Sequence, residues 1–559
     1  MKLRKLAAIA LIAFTAAVLL ISCNRQDGGL YRIDVYSQLA NYAGVQVGWF
    51  GKIVRDKFNM ELNIIPTGDG IFSTRMAAGN LGDLILFGND GSEFLDAIEA
   101  GMLLDWNRGD ILEEYGPDIK QNLSRALKKN ADVFGGGTRI YGFGHNVSST
   151  PFMSEAAFYH PDICFDLYQR IGSPPIPTMM AYLDVLKEMV DIAPRGYSGL
   201  PAYGFSLFSD WDGDVVMSIK CMGAFYGYDE FGFALYHAET NTVQPIFDNN
   251  SLYLQGLKFF NRAYQMGLLD PDSATQTFSD VIEKYSDGRV YWSLFNWLGP
   301  ANYNTAERLA QGKGMFAVPA ADQKNVVYGT SVYGNNRIWS IGAKAKYPER
   351  IMELINWLCT PEGVMTNHYG PQGVTWDYDG GNKAYLTPLG IQIQDGDKSV
   401  QMPLAAGGGT YLDGENKLNN TTFTIDEINP VSGERYNKAF WSSELNRQTS
   451  NARNAWRQAM GVLSDDELLE KRGLKAVVVA SDYVMDKRSD SLEQKWVQVS
   501  NAIKTGSWRA VYANSDAEYN RIVAEMIAQA KAFGYDECLA WNMEQGRLRA
   551  AAVRRALDN

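Results

Sequence analysis

Between Tyr31 and Gly101 the hydrophobic period of the chain switches repeatedly, and this alternation restricts the fold more than any other feature. Tyr31-Arg32-Ile33-Asp34-Val35-Tyr36 alternates apolar and polar side chains at the two-residue period of a strand. Val45, Trp49 and Ile53 then recur at spacing four, with Phe50, Val54 and Phe58 beside them, the stripe of an amphipathic helix. Glu61 to Ile65 reads as a second strand and Asp83-Leu84-Ile85-Leu86-Phe87 as a third. Ser92 is placed to cap a helix carrying Phe94, Leu95 and Ile98, with its stop near Gly101. Strands separated by helices pair in parallel, and the sheet is covered on both faces. In such sheets ligands sit beyond the carboxyl ends of the strands, where strand order reverses. The segments Gln38 to Gly44 and Gly88 to Gly91 follow the first and third strands and are expected to face that crevice.

The pattern continues downstream. Arg139 to Phe143 reads as a strand leading into Asn146 to Thr150, a lobe crossing. Thr178 opens a helix with Leu183, Leu186, Met189 and Val190. After Asn250, Tyr253, Leu257, Phe260 and Tyr264 fall at i, i+4, i+7 and i+11 of another helix, which ends at Gly267. Pro348 starts a helix with Ile351, Leu354, Ile355 and Leu358 on one face. Gly407-Gly408-Gly409 marks a loop, and the chain from about Ser464 is helix-rich and charged. A chain of 559 residues is too long for one core, so two α/β lobes are expected. A formal charge of -12 argues against a nucleic-acid partner, whose phosphates demand a basic face.

The amino terminus sets the compartment. Met1-Lys2-Leu3-Arg4-Lys5 is basic, Leu6 to Ile21 carries no charge, and Leu20-Ile21-Ser22-Cys23 follows before an abruptly polar stretch. This is the pattern of an export signal, residues 1–22, and its last four residues resemble the bacterial lipobox. On that reading Cys23 carries the lipid and residues 23–30 are a tether, so the protein is soluble but held to a membrane. The other cysteines, Cys164, Cys221, Cys359 and Cys538, are far apart and lack the paired spacing of a zinc site.

Catalytic signatures are missing. The four histidines form no HExxH pair, and neither a phosphate-binding GxxxxGK[ST] loop nor a GxSxG nucleophile elbow occurs. Asp210-Trp211-Asp212-Gly213-Asp214 begins like an EF-hand, yet Cys221 stands where a bidentate Glu is required. A polar turn explains this cluster, as does ligand contact, with Trp211 stacking on a ring and Asp212 accepting from hydroxyls. The chain holds 13 Trp, 30 Tyr and 25 Phe, enough rings to fill a core and still line a groove that grips flat sugar faces.

Several segments, in order, resemble the family 1 extracellular solute-binding proteins, in the long lipoprotein branch related to oligosaccharide binders. They are Met76-Ala77-Ala78-Gly79-Asn80-Leu81-Gly82-Asp83-Leu84, Gly101-Met102-Leu103-Leu104-Asp105, Gly137-Thr138-Arg139-Ile140-Tyr141-Gly142 and Leu167-Tyr168-Gln169-Arg170-Ile171-Gly172 with Pro177-Thr178. Gly267 to Asp272, Gly288-Arg289, Trp357 to Gly363 and Tyr369 to Trp376 continue the series. The resemblance implies a two-lobed periplasmic-binding-protein type II fold, α/β with a hinge between the lobes and a helix-rich C-terminal part. Lobe 1 would be 31–146 plus 336–377, and lobe 2 would be 150–332 plus 400–559. It implies a monomeric, non-enzymatic binding protein of an ABC importer, with transporter membrane subunits as partners and a carbohydrate or oligosaccharide as the expected solute. Neither cofactor nor metal is expected. Asp191 to Pro201, where long-branch members carry a calcium loop, lacks the oxygen ligands for one. Candidate ligand contacts, chosen by strand ends and lobe crossings, are Asn41, Tyr42, Asn89, Asp90, Asn146, Trp211, Asp212, Trp292, Asn296, Trp297, Tyr333 and Trp376. Two other readings stay open: a surface-anchored carbohydrate-active enzyme, and an all-helical glycan-capture lipoprotein.

Overall fold

The structure is a computed structural model describing residues 30–558 except 69, 151–152, 158 and 210–213, with the side chains of 214–217 also left aside. The chain divides into two compact units. The first comprises the described residues through His145, then Asn335–Asp377 and Leu386–Phe423. The second comprises Asn146–Gly334, Tyr378–Tyr385 and the chain from Thr424 onward. The segment 400–423, expected in lobe 2, therefore lies in the first unit, together with 386–399.

The first unit is built on the alternation read from its sequence. The helix α1 (Gly48–Phe58) follows strands β1 (Tyr31–Ser37) and β2 (Gly44–Val45), and β3 (Met60–Pro66), α2 (Ile71–Ala77), β4 (Leu84–Phe87) and α3 (Ser92–Glu99) come next. β1 lies between β3 and β4, parallel to both. The returning strand Ile338–Ile341 runs antiparallel to β4, and β5 (Phe143–Gly144) pairs beyond it. The strand expected over 139–143 is thus only this short edge strand. All four side chains of β4 are buried, as a strand covered on both faces requires. Gly91, not Ser92, occupies the N-cap of α3, and no side chain caps it.

The segment 386–423 braces α1. Trp49 is buried in α1, its Nε1 donates to the Tyr411 carbonyl at 3.1 Å, and its ring stacks on Tyr411 with centroids 5.5 Å apart. Close backbone approach makes this possible. Gly48 has φ +65°, and a Cβ there would lie 2.5 Å from Gly414 Cα.

The second unit has the antiparallel sheet Trp292–Phe295, Tyr159–Cys164 and Met315–Ala317, with Tyr159–Cys164 central. A separate three-stranded sheet uses Tyr228–Phe231, Ala234–His237 and Val243–Pro245. The predicted helix after Asn250 is Leu252–Gln265, capped by Ser251, with Tyr253, Leu257 and Phe260 buried as its spacing requires. The C-terminal helices Asp490–Val511, Asp516–Ala532 and Tyr535–Asp558 complete this unit. Asn261 Nδ2 donates to the carbonyls of Val511 (3.1 Å) and Ala513 (2.8 Å), and the Tyr253 hydroxyl meets Ser507 Oγ at 2.7 Å. The strand Lys475–Val478 pairs in parallel with Asn325–Tyr328, so the late chain joins the body of the unit rather than trailing from it. Sheets in both units exclude the all-helical reading.

Candidate functional site

In the first unit the order β3-β1-β4 reverses the chain between β1 and β4, which places the loops after them side by side. Gln38 fastens the two: its amide donates to Leu86 O at 2.9 Å, and its Oε1 accepts from Gly88 N at 2.7 Å. Its Nε2 reaches Glu93 at the start of α3. Ser37 Oγ accepts from the amides of Leu39 (3.2 Å) and Ala40 (3.1 Å), which bends the chain at the strand end. Asn41 is exposed at the tip, and Tyr42 donates its hydroxyl to Val45 O at 2.8 Å. In the neighbouring loop Asn89 is exposed, with Oδ1 accepting from Gly91 N at 2.8 Å. Burial pushes the Asp90 carboxyl above the ordinary range, and Lys129 opposes this. This ridge offers amide and carboxylate groups suited to reading hydroxyls.

Residues of 386–423 add to the ridge, and the sequence analysis missed them. Asn419 Nδ2 donates to Leu39 O at 2.6 Å, and Lys417 Nζ lies 5.9 Å from the Tyr42 ring centroid. Nothing local in the sequence links these residues to the first strand, more than 370 positions earlier.

In the second unit the strand ends at Phe295, and the two residues after it part company. Asn296 turns inward, donating from Nδ2 to Ala157 O at 3.0 Å. Trp297 is 39% exposed and stacks on Phe295, with centroids 4.6 Å apart and planes at 24°. Phe278 flanks it at 6.2 Å, and Phe208 lies 5.3 Å beyond Phe278. An indole backed by a second ring and partly exposed is the kind of side chain that can stack on a flat apolar surface.

Two expected contacts prove to be core side chains. Trp292 is buried against Phe205, Tyr182 and Phe225 because it lies inside the strand, where its face of the sheet is covered by helices. Trp376 is fully buried and spends its indole N–H on Gly370 O at 2.7 Å, holding a turn. Asn146 and Tyr333 are half-buried where the chain passes between the units, and Asn146 has φ +52°. Trp211, Asp212 and Cys23 lie outside the described residues.

The remaining cysteines, Cys164, Cys221, Cys359 and Cys538, are free and buried. Among the described residues no group of three or more His, Cys, Asp or Glu side chains is placed to hold a metal. The segment 191–201 is a closed turn in which Ser198 N donates to Asp287 Oδ1 at 2.7 Å and Ala202 N to Pro194 O at 3.0 Å. No described helix is long and apolar enough to cross a membrane.

No family model matches the chain, and no curated protein matches it. Solved structures match it over nearly its whole length. An extracellular solute-binding protein from Bifidobacterium longum subsp. infantis aligns with a TM-score of 0.59 at 15% identity, covering 94% of this chain and 99% of that one. The Streptococcus pneumoniae ABC-transporter substrate binding protein FusA, in complex with kestose, aligns with a TM-score of 0.58 at 14% identity, covering 93% and 99%. An HMO-binding, ABC-transporter-associated solute binding protein from Bifidobacterium longum infantis gives 0.56 at 15%, covering 94% and 100%. At this identity the likeness is one of fold. The chain has the α/β fold of the ABC-transporter solute-binding proteins.

Proposed function

We propose that the chain is the lipid-anchored, extracellular solute-binding protein of an ABC importer, and that it captures a carbohydrate or oligosaccharide by closing its two units around it. The observation that carries this reading is the fold match, which spans more than nine-tenths of this chain and of an HMO-binding solute binding protein and of FusA in complex with kestose. The exposed Trp297 face and the amide and carboxylate ridge of Asn41, Tyr42, Asn89 and Asp90 fit a ligand with flat C–H faces and hydroxyl edges. In this reading Tyr333, Trp211 and Asp212 are further contacts for the same ligand. The ligand works by differential affinity: it favours the closed form because both units contribute contacts, and about 5.5 kcal/mol of preference moves a two-state equilibrium from 1:99 to 99:1. Transporter subunits would then read the closed form. The protein binds its solute and does not transform it, and Cys23 holds it at the outer face of the membrane.

A thermal-shift screen of the chain from Cys23 onward against oligosaccharides tests this. A ligand held only by the folded state at a hundred times its Kd adds about 2.7 kcal/mol and raises Tm. Trp297→Ala should shrink the ligand-induced shift, measured from the variant's own ligand-free Tm. Shifts from peptides but from no saccharide would overturn the carbohydrate assignment, and cleavage of the added glycan would overturn the binding-protein assignment.

A further inference from the structure

The chain passes between the units at 145/146, 334/335, 377/378, 385/386 and 423/424. Three of these passes, at 145/146, 334/335 and 423/424, are laced together as they enter the second unit. Ser148 N donates to Ser331 O at 2.8 Å, Val147 bridges Ser331 in parallel, and Thr424 N donates to Val147 O at 2.9 Å. On the side of the first unit, His145 N donates to Arg337 O at 2.9 Å and Asn335 N to His145 O at 2.8 Å. There too Trp339 Nε1 donates to Thr421 O at 2.6 Å and Thr422 Oγ1 to Leu358 O at 2.7 Å.

The three passes run through Asn146, the stretch Val332-Tyr333-Gly334, where Ser331 Oγ accepts from Tyr333 N at 3.3 Å and donates to Gly334 O at 3.4 Å, and Phe423. Asn146 (φ +52°) and Gly334 (φ +68°) are left-handed, a backbone state that Asn and Gly enter at least cost. The other two passes form one hairpin, Trp376–Tyr378 with Ala384–Leu386. Its tip is held in the second unit by Asn429 Nδ2 on the Tyr378 hydroxyl (2.8 Å) and Lys383 Nζ on Ser432 O (2.9 Å).

Glu427 closes the lacing. It is 5% exposed and follows the 423/424 pass, yet its carboxylate turns back to the 145/146 pass. Oε2 accepts from the amides of Ser149 and Thr150, each at 3.0 Å, and from the hydroxyls of Ser148 (2.5 Å) and Ser149 (3.3 Å). Hydrogen bonds to an ionised acceptor are shorter and stronger than neutral ones. We infer that Glu427 is a positioning residue of the pivot. It makes the second-unit ends of these three passes turn as one body during opening and closing. This rests on the closure reading proposed above.

The test places a donor and an acceptor dye at residues 99 and 188, both exposed and one in each unit. Distance distributions, saccharide affinity and Tm are compared among wild type, Glu427→Gln and Glu427→Ala. The glutamine keeps the size but presents an NH2 to the same donors. Both variants should broaden the ligand-free distance distribution, and saccharide affinity should fall about fivefold as the closing-competent fraction drops. Ser148→Ala, which removes one arm and keeps the carboxylate, should move both readouts the same way by less. It carries the test if the Glu427 variants do not fold. A lowered Tm with unchanged distances and affinity would leave Glu427 a structural residue only and overturn the inference. A wild type that closes on ligand alongside variants that match it overturns the Glu427 assignment alone. A wild type that binds saccharide without any distance change overturns the closure reading and this assignment with it.

Discussion

His160 sits on the central strand of the second unit's three-stranded sheet, 1% exposed, with Nδ1 3.2 Å from Asp162 Oδ1. Burial alone would lower its pKa. Asp162 on the same strand face, with Asp465 and Asp466 from the helix Asp465–Lys471, reverses this and raises it to about 9. Asp162 is itself pushed up to about 6 by burial, with His160 pulling against the shift, so the pair is ionised at neutral pH. Arg453 and Lys475 supply the other cations: Arg453 lies 3.7 Å from Asp465, and Lys475 lies 3.4 Å from Asp466. The sign follows from the folded pKa standing above the unfolded value. The stabilisation from charged His160 is complete below about pH 6.5 and fades as pH climbs through about 9. Melting curves of wild type should therefore lose Tm between pH 7 and 10, a window clear of the Asp162 titration. His160→Gln should start lower and run flatter. Parallel curves across that window would show that His160 is not the titrating group. Its sequence context, one His among alternating residues, carried no sign of this; Arg453, Asp465, Asp466 and Lys475 all come from positions more than 290 residues later.

At the scale of elements, the hydrophobic pattern identified α1, the strands β1, β3 and β4 and the helix Leu252–Gln265, but it ran α1 back to Val45, which lies in the short strand β2. The same reasoning overran a short element, and position after a resembling motif picked out a buried ring. The strand expected over 139–143 shrinks to Phe143–Gly144, and Trp292 belongs to the core because strand alternation directs it to the helix-covered face. The three-glycine stretch was legible as a loop. That it packs on α1 was not: a Cβ on Gly407 would lie 2.7 Å from the Gly48 carbonyl carbon, and one on Gly414 would lie 2.4 Å from Trp49 Cδ1. Gly48→Ala meets both obstacles at once, a left-handed backbone and a clash with the Gly414 backbone. It should cost about 2–3 kcal/mol by the usual scale of strain and overpacking. Chemical denaturation reads this directly, and a loss under 0.5 kcal/mol on the order of surface substitutions would mean that the brace yields easily.

For the whole molecule, the proposed anchor makes a separable prediction. Cys23→Ser should abolish incorporation of labelled fatty acid and release the protein from the membrane fraction, while thermal melting and saccharide binding of the folded part stay unchanged. Continued membrane association without the label would place the anchor elsewhere. Residues 386–423 complete the first unit, whereas the sequence reading had carried the chain from 400 onward into lobe 2. By itself the sequence determined the alternation of strands and helices and the loops beyond β1 and β4, since these depend on neighbours within a few residues. Only the tertiary structure decided that Trp292 is buried while Trp297 stays partly exposed, that Lys417 lies beside Tyr42 and Asn419 bonds Leu39, and that Glu427 grips residues 148–150. Such pairings join positions tens to hundreds of residues apart, and their energy exists only once folding has closed the intervening chain.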